Sequence, residues 1–114
     1  MALRPEILRN KRDFDRLYKK GRSIGDRYVV LFTIPNGLPY SRRAFLASKK
    51  VGKAVARNRA RRLMKESFRL MMKEGILPEG FDILFIARST IAGKKRQDVE
   101  ASMRKALIKG KILK

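Results

Sequence analysis

The sequence predicts an α+β protein, a small sheet with helices packed on it. Three observations carry that prediction. Two runs, Tyr28 to Ile34 and Phe81 to Ala87, are β-branched or aromatic and apolar on both faces. The stretch from Lys53 to Lys73 has no proline or glycine and repeats its apolar residues at the helical period. The order is helix, strand, strand, helix, strand, helix within 114 residues, room for one domain spanning 1–114.

Ile7 to Lys20 reads as the first helix. Phe14, Leu17 and Tyr18 lie three and four apart on one face, Lys19 and Lys20 occupy the last turn, and Gly21 ends it. Phe14 and Tyr18 fit core packing as well as ligand contact. A short extra strand is allowed near Ser23. From Arg27 to Ile34 the chain reads as a strand, with Tyr28, Val30, Phe32 and Ile34 on one face and Val29, Leu31 and Thr33 on the other. Pro35 to Pro39 is a turn. A second strand runs from about Arg42 to Ser48, and the short connection predicts an antiparallel pair with the first.

The segment from Lys53 to Lys73 divides cleanly when rolled at 3.6 residues per turn. Ala56, Ala60, Leu63, Met64, Ser67, Phe68, Leu70 and Met71 share one arc. Asn58, Arg61, Arg62, Lys65, Arg69 and Lys73 share the opposite one, with Arg57 and Arg59 at its two boundaries. Gly75 and the Pro78-Glu79-Gly80 turn end this helix. Phe81 to Ala87 is then a buried strand, with Phe81, Ile83 and Phe85 on one side and Leu84 and Ile86 on the other. Gly93 to Arg96 is a basic loop, and Gln97 to Lys109 a last helix with Val99, Met103, Ala106 and Leu107 as its buried stripe. If the third strand lies parallel to its neighbour, the basic helix is the crossover, right-handed by the general rule.

Charge narrows the function. Lys plus Arg number 30 and Asp plus Glu 10, a net charge of +20, whereas solubility of a small domain needs only about 2–8. So large an excess points to a polyanionic partner, nucleic acid first. No stretch approaches the roughly 20 apolar residues of a spanning helix, and Met1 to Pro5 lacks a signal-peptide apolar core. There is no Cys, which excludes disulfides and thiolate chemistry and suits a reducing cytoplasm. There is no His, which removes the usual general base near neutral pH and the commonest metal ligand. The acidic residues are scattered, no two of them three or four apart within one helix, so self-contained catalysis is disfavoured.

The polar half of the Lys53 to Lys73 helix is almost wholly cationic, with only Glu66 as a compensating charge. Exposed helices ordinarily mix signs to gain pairs one turn apart. Like charges this dense repel one another unless they meet phosphates.

The run from Ser48 through Lys49-Lys50-Val51-Gly52-Lys53-Ala54-Val55-Ala56 to Arg57-Asn58-Arg59-Ala60-Arg61-Arg62-Leu63 closely resembles the signature of the bacterial ribonuclease P protein family. The resemblance extends over nearly the whole chain: Asp13-Phe14 and Tyr18 before Gly21, the strand after Arg27, and the apolar strand closing on Ala87-Arg88 also fit. It implies the family's two-layer sandwich: a mixed, mainly antiparallel sheet of about four strands with three helices, like a ribosomal small-subunit protein domain. There the central basic helix makes a left-handed βαβ crossover, against the general rule.

The resemblance also implies the activity: a protein subunit, not itself catalytic, of a ribonucleoprotein endoribonuclease that removes the 5′ leader of precursor tRNA. The partners are then ribonuclease P RNA and precursor tRNA, with no membrane and no small-molecule substrate. Magnesium is held by the RNA and none by the protein. Arg57, Asn58 and Arg59 match the family motif and would face the catalytic RNA, extended by Arg61, Arg62 and Lys65. Phe14, Tyr18 and Phe32 match positions lining the cleft for the single-stranded leader, where aromatic faces stack on any base. Lys49, Lys50, Lys53 and Arg88 fall on its basic rim.

Two positions depart from the family pattern. Ala44-Phe45 stands where an aliphatic residue followed by glycine is common, which puts the packing of that strand in question. Ser89 replaces a second basic residue after Arg88, which weakens the expected leader contact there. Among rivals, a ribosomal protein would bind RNA without turnover, but the Lys49 to Arg62 run fits the ribonuclease P family instead. A nucleoid-type DNA binder would use a β-arm or recognition helix, often as a dimer, and a metal nuclease would need clustered acids.

Overall fold

The computed structural model describes residues 6–113; Met1 to Pro5, read above for a signal core, lie outside them. Helix α1 spans Lys11–Lys20, strand β1 Arg22–Gly25, β2 Val29–Pro35, β3 Arg42–Ala47, helix α2 Ala54–Lys73, strand β4 Phe81–Ala87, a short 3₁₀ turn Ser89–Ile91, and helix α3 Arg96–Lys109. The strand allowed near Ser23 is therefore present, as β1.

The sheet order is β1-β2-β4-β3, with β3 parallel to β4 and the other pairs antiparallel. Helix α2 is the crossover between the parallel neighbours β3 and β4. The expected pairing of β2 with β3 does not occur: the two run in opposite directions, but β4 lies between them. Burial explains the insertion. Ile83, Leu84 and Phe85 are fully buried, and only a central strand covered on both faces satisfies such a run.

The two faces are covered unequally. Helices α2 and α3 pack on one face, over Val29, Leu31, Ile83, Phe85 and Ala87, with Met64, Met71, Met103 and Leu107 fully buried between. Burying each such side chain contributes about 1.5–3 kcal/mol. The other face carries only α1, through Leu8, Leu17, Ala44 and Leu84, with Phe14, Phe32, Ile34 and Ile86 at the margin. The body is thus the expected two layers, with α1 on the outside.

Phe45 is accommodated without a glycine after Ala44. Its ring stacks on Phe85 at 6.3 Å between centroids with an interplanar angle of 2°, and meets Phe68 of α2 edge-on at 5.4 Å. Two local expectations change. Ile7 to Asn10 are not helical: Leu8 N–H donates to Arg43 O at 2.9 Å and Arg43 N–H to Glu6 O at 2.8 Å, so this segment pairs with the edge of β3. The helix starts after Asn10, a residue type favoured at that cap. Tyr28 precedes β2 instead of alternating within it, because Asp26 N–H bonds Val29 O across a turn, and its ring joins the larger core.

Candidate nucleic-acid interface

Helix α2 presents the cationic arc that its sequence predicts. Ala60, Met64, Ser67, Phe68 and Met71 are buried, while Asn58, Arg62, Lys65, Arg69 and Lys73 are exposed. The sole acid, Glu66, is taken by Arg69, whose side-chain hydrogen bond holds its carboxyl below the ordinary carboxylate value. No acid lies in the first turn of α2, so its positive dipole end adds to Lys53 and Arg57 without relief.

The two arginines of the Arg-Asn-Arg run occupy opposite flanks. Arg59 donates to Lys94 O at 2.9 Å, tying α2 to the basic loop before α3. Arg57 lies on the other flank, half-buried, and its Nε finds no partner among the described residues. Arg61 donates to Asn58 Oδ1 between them, so the motif is a braced surface and not a row of free side chains.

The Lys49–Gly52 turn leads into this helix. Gly52 N–H donates to Lys49 O at 3.1 Å and Val51 is buried, which leaves Lys49, Lys50 and Lys53 outward. Gly52 has φ +142°, and an added Cβ would lie 3.0 Å from that of Ala56; only glycine fits the run comfortably. Register brings the basic rim together, since Ala47 pairs with Ala87 and Ala87 with Val29. Lys49, Lys50, Lys53 and Arg88 therefore gather at one end of the sheet, joined by Arg27. Arg88 is also structural, donating to Asp26 O at 2.7 Å.

The expected leader cleft is the uncovered half of the outer sheet face. Tyr18 is 46% exposed, and its ring meets Phe32 edge-on at 5.2 Å and 85°. Phe14, one turn back on α1, is half-buried toward Ala44 and Leu46. The floor is the register row Val30, Ile86 and Leu46, which crosses the sheet next to the Val29, Ala87 and Ala47 row at the basic end. Sequence reasoning missed this row as a site: alternation placed Val30 beside Phe32, but Ile86 and Leu46 join them only through pairings that no local pattern specifies. It also missed Tyr28, flanked by Arg27 and Lys94 at 5.9 and 5.6 Å from its ring centre.

The arrangement offers a cationic helix face and, on the other side of the sheet, an aromatic cleft with a basic rim. The family model described as Ribonuclease P matches residues 3–111. The chain belongs to the ribonuclease P protein family. It is 43% identical over 101 residues to a protein of Clostridioides difficile named ribonuclease P protein component, covering 89% of this chain and 88% of that one. Among solved structures, the ribonuclease P protein of Staphylococcus aureus superposes with a TM-score of 0.84 at 28% identity, over 97% of this chain and 100% of that one. That of Thermotoga maritima superposes at 0.79 with 33% identity, over 91% and 96%. Members of the ribonuclease P family act in tRNA processing as parts of a ribonucleoprotein. Their three-helix, four-strand α+β fold is the one found here.

Proposed function

We propose that this chain is the RNA-binding, non-catalytic subunit of ribonuclease P, gripping the catalytic RNA through α2 and the 5′ leader of precursor tRNA through the α1–sheet cleft. One observation carries the reading: the cationic α2 face and the Tyr18–Phe32 cleft lie on opposite faces of one sheet, so two RNA strands can be held at once. Arg57, Asn58, Arg59, Arg61, Arg62 and Lys65 meet the catalytic RNA. Phe14, Tyr18 and Phe32 stack on leader bases, with Lys49, Lys50, Lys53 and Arg88 on nearby phosphates.

The magnesium of the reaction belongs to the RNA in this reading. The buried or bridging carboxylates are engaged: Asp82 and Asp13 by Arg42, Asp26 by Ser102 and Lys109, Glu100 by Arg96 and Arg104. Among the described residues no group of three or more acids, His or Cys could hold a metal ion. The protein's contribution is to neutralise phosphate repulsion and align the leader, which eases magnesium binding by RNA oxygens. In this reading the setting is cytoplasmic, as a role in tRNA processing implies.

The test is reconstitution. Added to a bacterial ribonuclease P RNA at low magnesium, the protein restores leader cleavage to give the mature tRNA 5′ end. Cleavage of precursor tRNA by the protein without RNA would overturn the assignment of chemistry, and an RNA whose activity is unmoved by the protein would overturn the whole reading.

A further inference from the structure

Strand β3 is an edge of the sheet, and its outer side is only partly covered. The Arg43 N–H and C=O point outward, to Glu6 and Leu8. Alternation along a strand turns the N–H and C=O of Phe45 the same way. By that point the Glu6–Leu8 segment has left through Asn10 into α1, and no described residue pairs with Phe45 there. Beside this bare edge lies a cavity of about 570 Å³ that adjoins the leader cleft and shares Phe14 and Leu46 with it; Leu8 and Phe14 wall it on one side and Lys65 and Met72 of α2 on the other, with Phe45 and Leu46 at its base. Leu46 and Met72 are 38% and 42% exposed.

A cationic stripe leads into the cavity. Arg57, Arg61 and Lys65 are spaced four apart, and Met72 follows on the same flank of α2. Lys65 makes no ion pair with any described residue. The walls are apolar apart from the cationic Arg43, Lys65 and Arg69, the mouth is positive, and the base is one residue's N–H beside its C=O. A nucleobase matches all three features: every base has two stackable faces and a donor next to an acceptor on its pairing edge. A peptide strand is a poorer match, because the bare edge runs only from Phe45 to the end of β3 at Ala47.

We propose that this cavity receives one unpaired, extruded nucleotide of the catalytic RNA, its base edge against the Phe45 backbone and its phosphate toward Lys65. The inference rests on the reading that the α2 face meets that RNA. It adds to that reading a point of shape recognition that phosphate contacts alone do not provide.

The chain has no cysteine, so single cysteines can carry a photocrosslinker without background. Met72→Cys is the test position, Asn58→Cys marks the α2 face, and Lys105→Cys on the exposed side of α3 is the control. Each is mixed with a bacterial ribonuclease P RNA alone, then with precursor tRNA added. The Met72 label is expected to join one or two unpaired nucleotides of the catalytic RNA without precursor present. Met72→Trp, which fills the cavity from an exposed position, is expected to weaken binding to that RNA about tenfold while lowering the log–log salt slope by at most about one unit, the single phosphate contact at Lys65. A Met72 crosslink found only on the precursor leader, or only between two copies of the protein, overturns the proposal. So does a Met72→Trp protein that binds like the parent. If Asn58→Cys labels RNA and Met72→Cys does not, the cavity assignment alone fails; if neither does, the α2 reading fails with it.

Discussion

The guanidinium of Arg42 holds Asp82 in a fork, Nε to Oδ1 at 2.8 Å and Nη2 to Oδ2 at 2.7 Å, and reaches Asp13 of α1 with Nη1 at 3.1 Å. Asp82 is 1% exposed, and Asn36 Nδ2 donates to the same carboxylate at 3.0 Å. One side chain on an edge strand thus locks the central strand and the cleft-forming helix together. The charged pair raises the affinity of Arg42 for its proton above the ordinary arginine value.

Removing that fork is expected to be costly. Arg42→Ala leaves a buried carboxylate without its counterion, a loss of about 3–5 kcal/mol. Arg42→Lys keeps the charge but not the two parallel bonds, and falls between the two. Urea denaturation midpoints measure both. A midpoint for Arg42→Ala within experimental error of the parent would show that Asp82 is not held by this pair.

The salt dependence of binding tests the two arginines of the central motif together, and amide exchange separates them. Replacing Arg57 and Arg59 together with Ala is expected to weaken binding to the catalytic RNA and to lower the log–log salt slope by about one unit per lost phosphate contact. Their surroundings differ, however. Arg59 also braces Lys94 O, so Arg59→Ala is expected to loosen the loop before α3, seen as faster amide exchange there. Arg57→Ala is expected to leave that loop unchanged. An unaltered slope in the double variant would remove both residues from the phosphate interface.

Leader recognition is testable by comparing two substrates. Phe14→Ala and Tyr18→Ala are expected to weaken affinity for leader-bearing precursor more than for mature tRNA, by about 1–3 kcal/mol for each lost stacking platform. Tyr18 is the cleaner probe, being nearly half exposed, whereas Phe14 also packs against Leu8 and Ala44. Equal losses for both substrates would return these rings to a purely structural role.

Much of this was legible from local pattern, and the failures share one cause. The cationic arc of α2 is a property of twenty consecutive residues, so periodicity alone orders Met64 inward and Lys65 outward. The buried run Ile83–Phe85 announced a strand, but which strands flank it depends on long-range pairing. A connection of six residues reads as a hairpin, yet Ser41 and Asn36 bond across to Pro78, Phe81 and Asp82, which seats β4 between β2 and β3. Ile7 to Asn10 mimic the start of a helix because the apolar spacing of Ile7 and Leu8 continues that of α1; the open edge at Arg43 offers them a strand partner instead. The cleft floor and the β3-edge cavity have no sequence signal, since each is assembled from three separate segments that only the tertiary fold brings together.

Acid sensitivity is the last expectation, and it concerns the anchor of α3. Asp26 is 9% exposed. Burial by itself would raise its pKa, but hydrogen bonds from Lys109 Nζ at 2.8 Å and Ser102 Oγ at 2.7 Å, with the Arg27 backbone, outweigh it and hold the carboxyl below its ordinary value of 3.8. A carboxylate depressed in the folded state contributes stability that is fully present above the unfolded pKa and is lost as pH falls through the folded one. The Asp26→Asn protein is therefore expected to be less stable at pH 7, by about 1–3 kcal/mol. The gap to the parent should close as pH drops below about 4. Unfolding curves for the two proteins at matched pH and salt measure that difference, in which the other carboxylates cancel. A gap that stays constant down to pH 2 would show that Asp26 is not ionised where it meets Lys109 and Ser102.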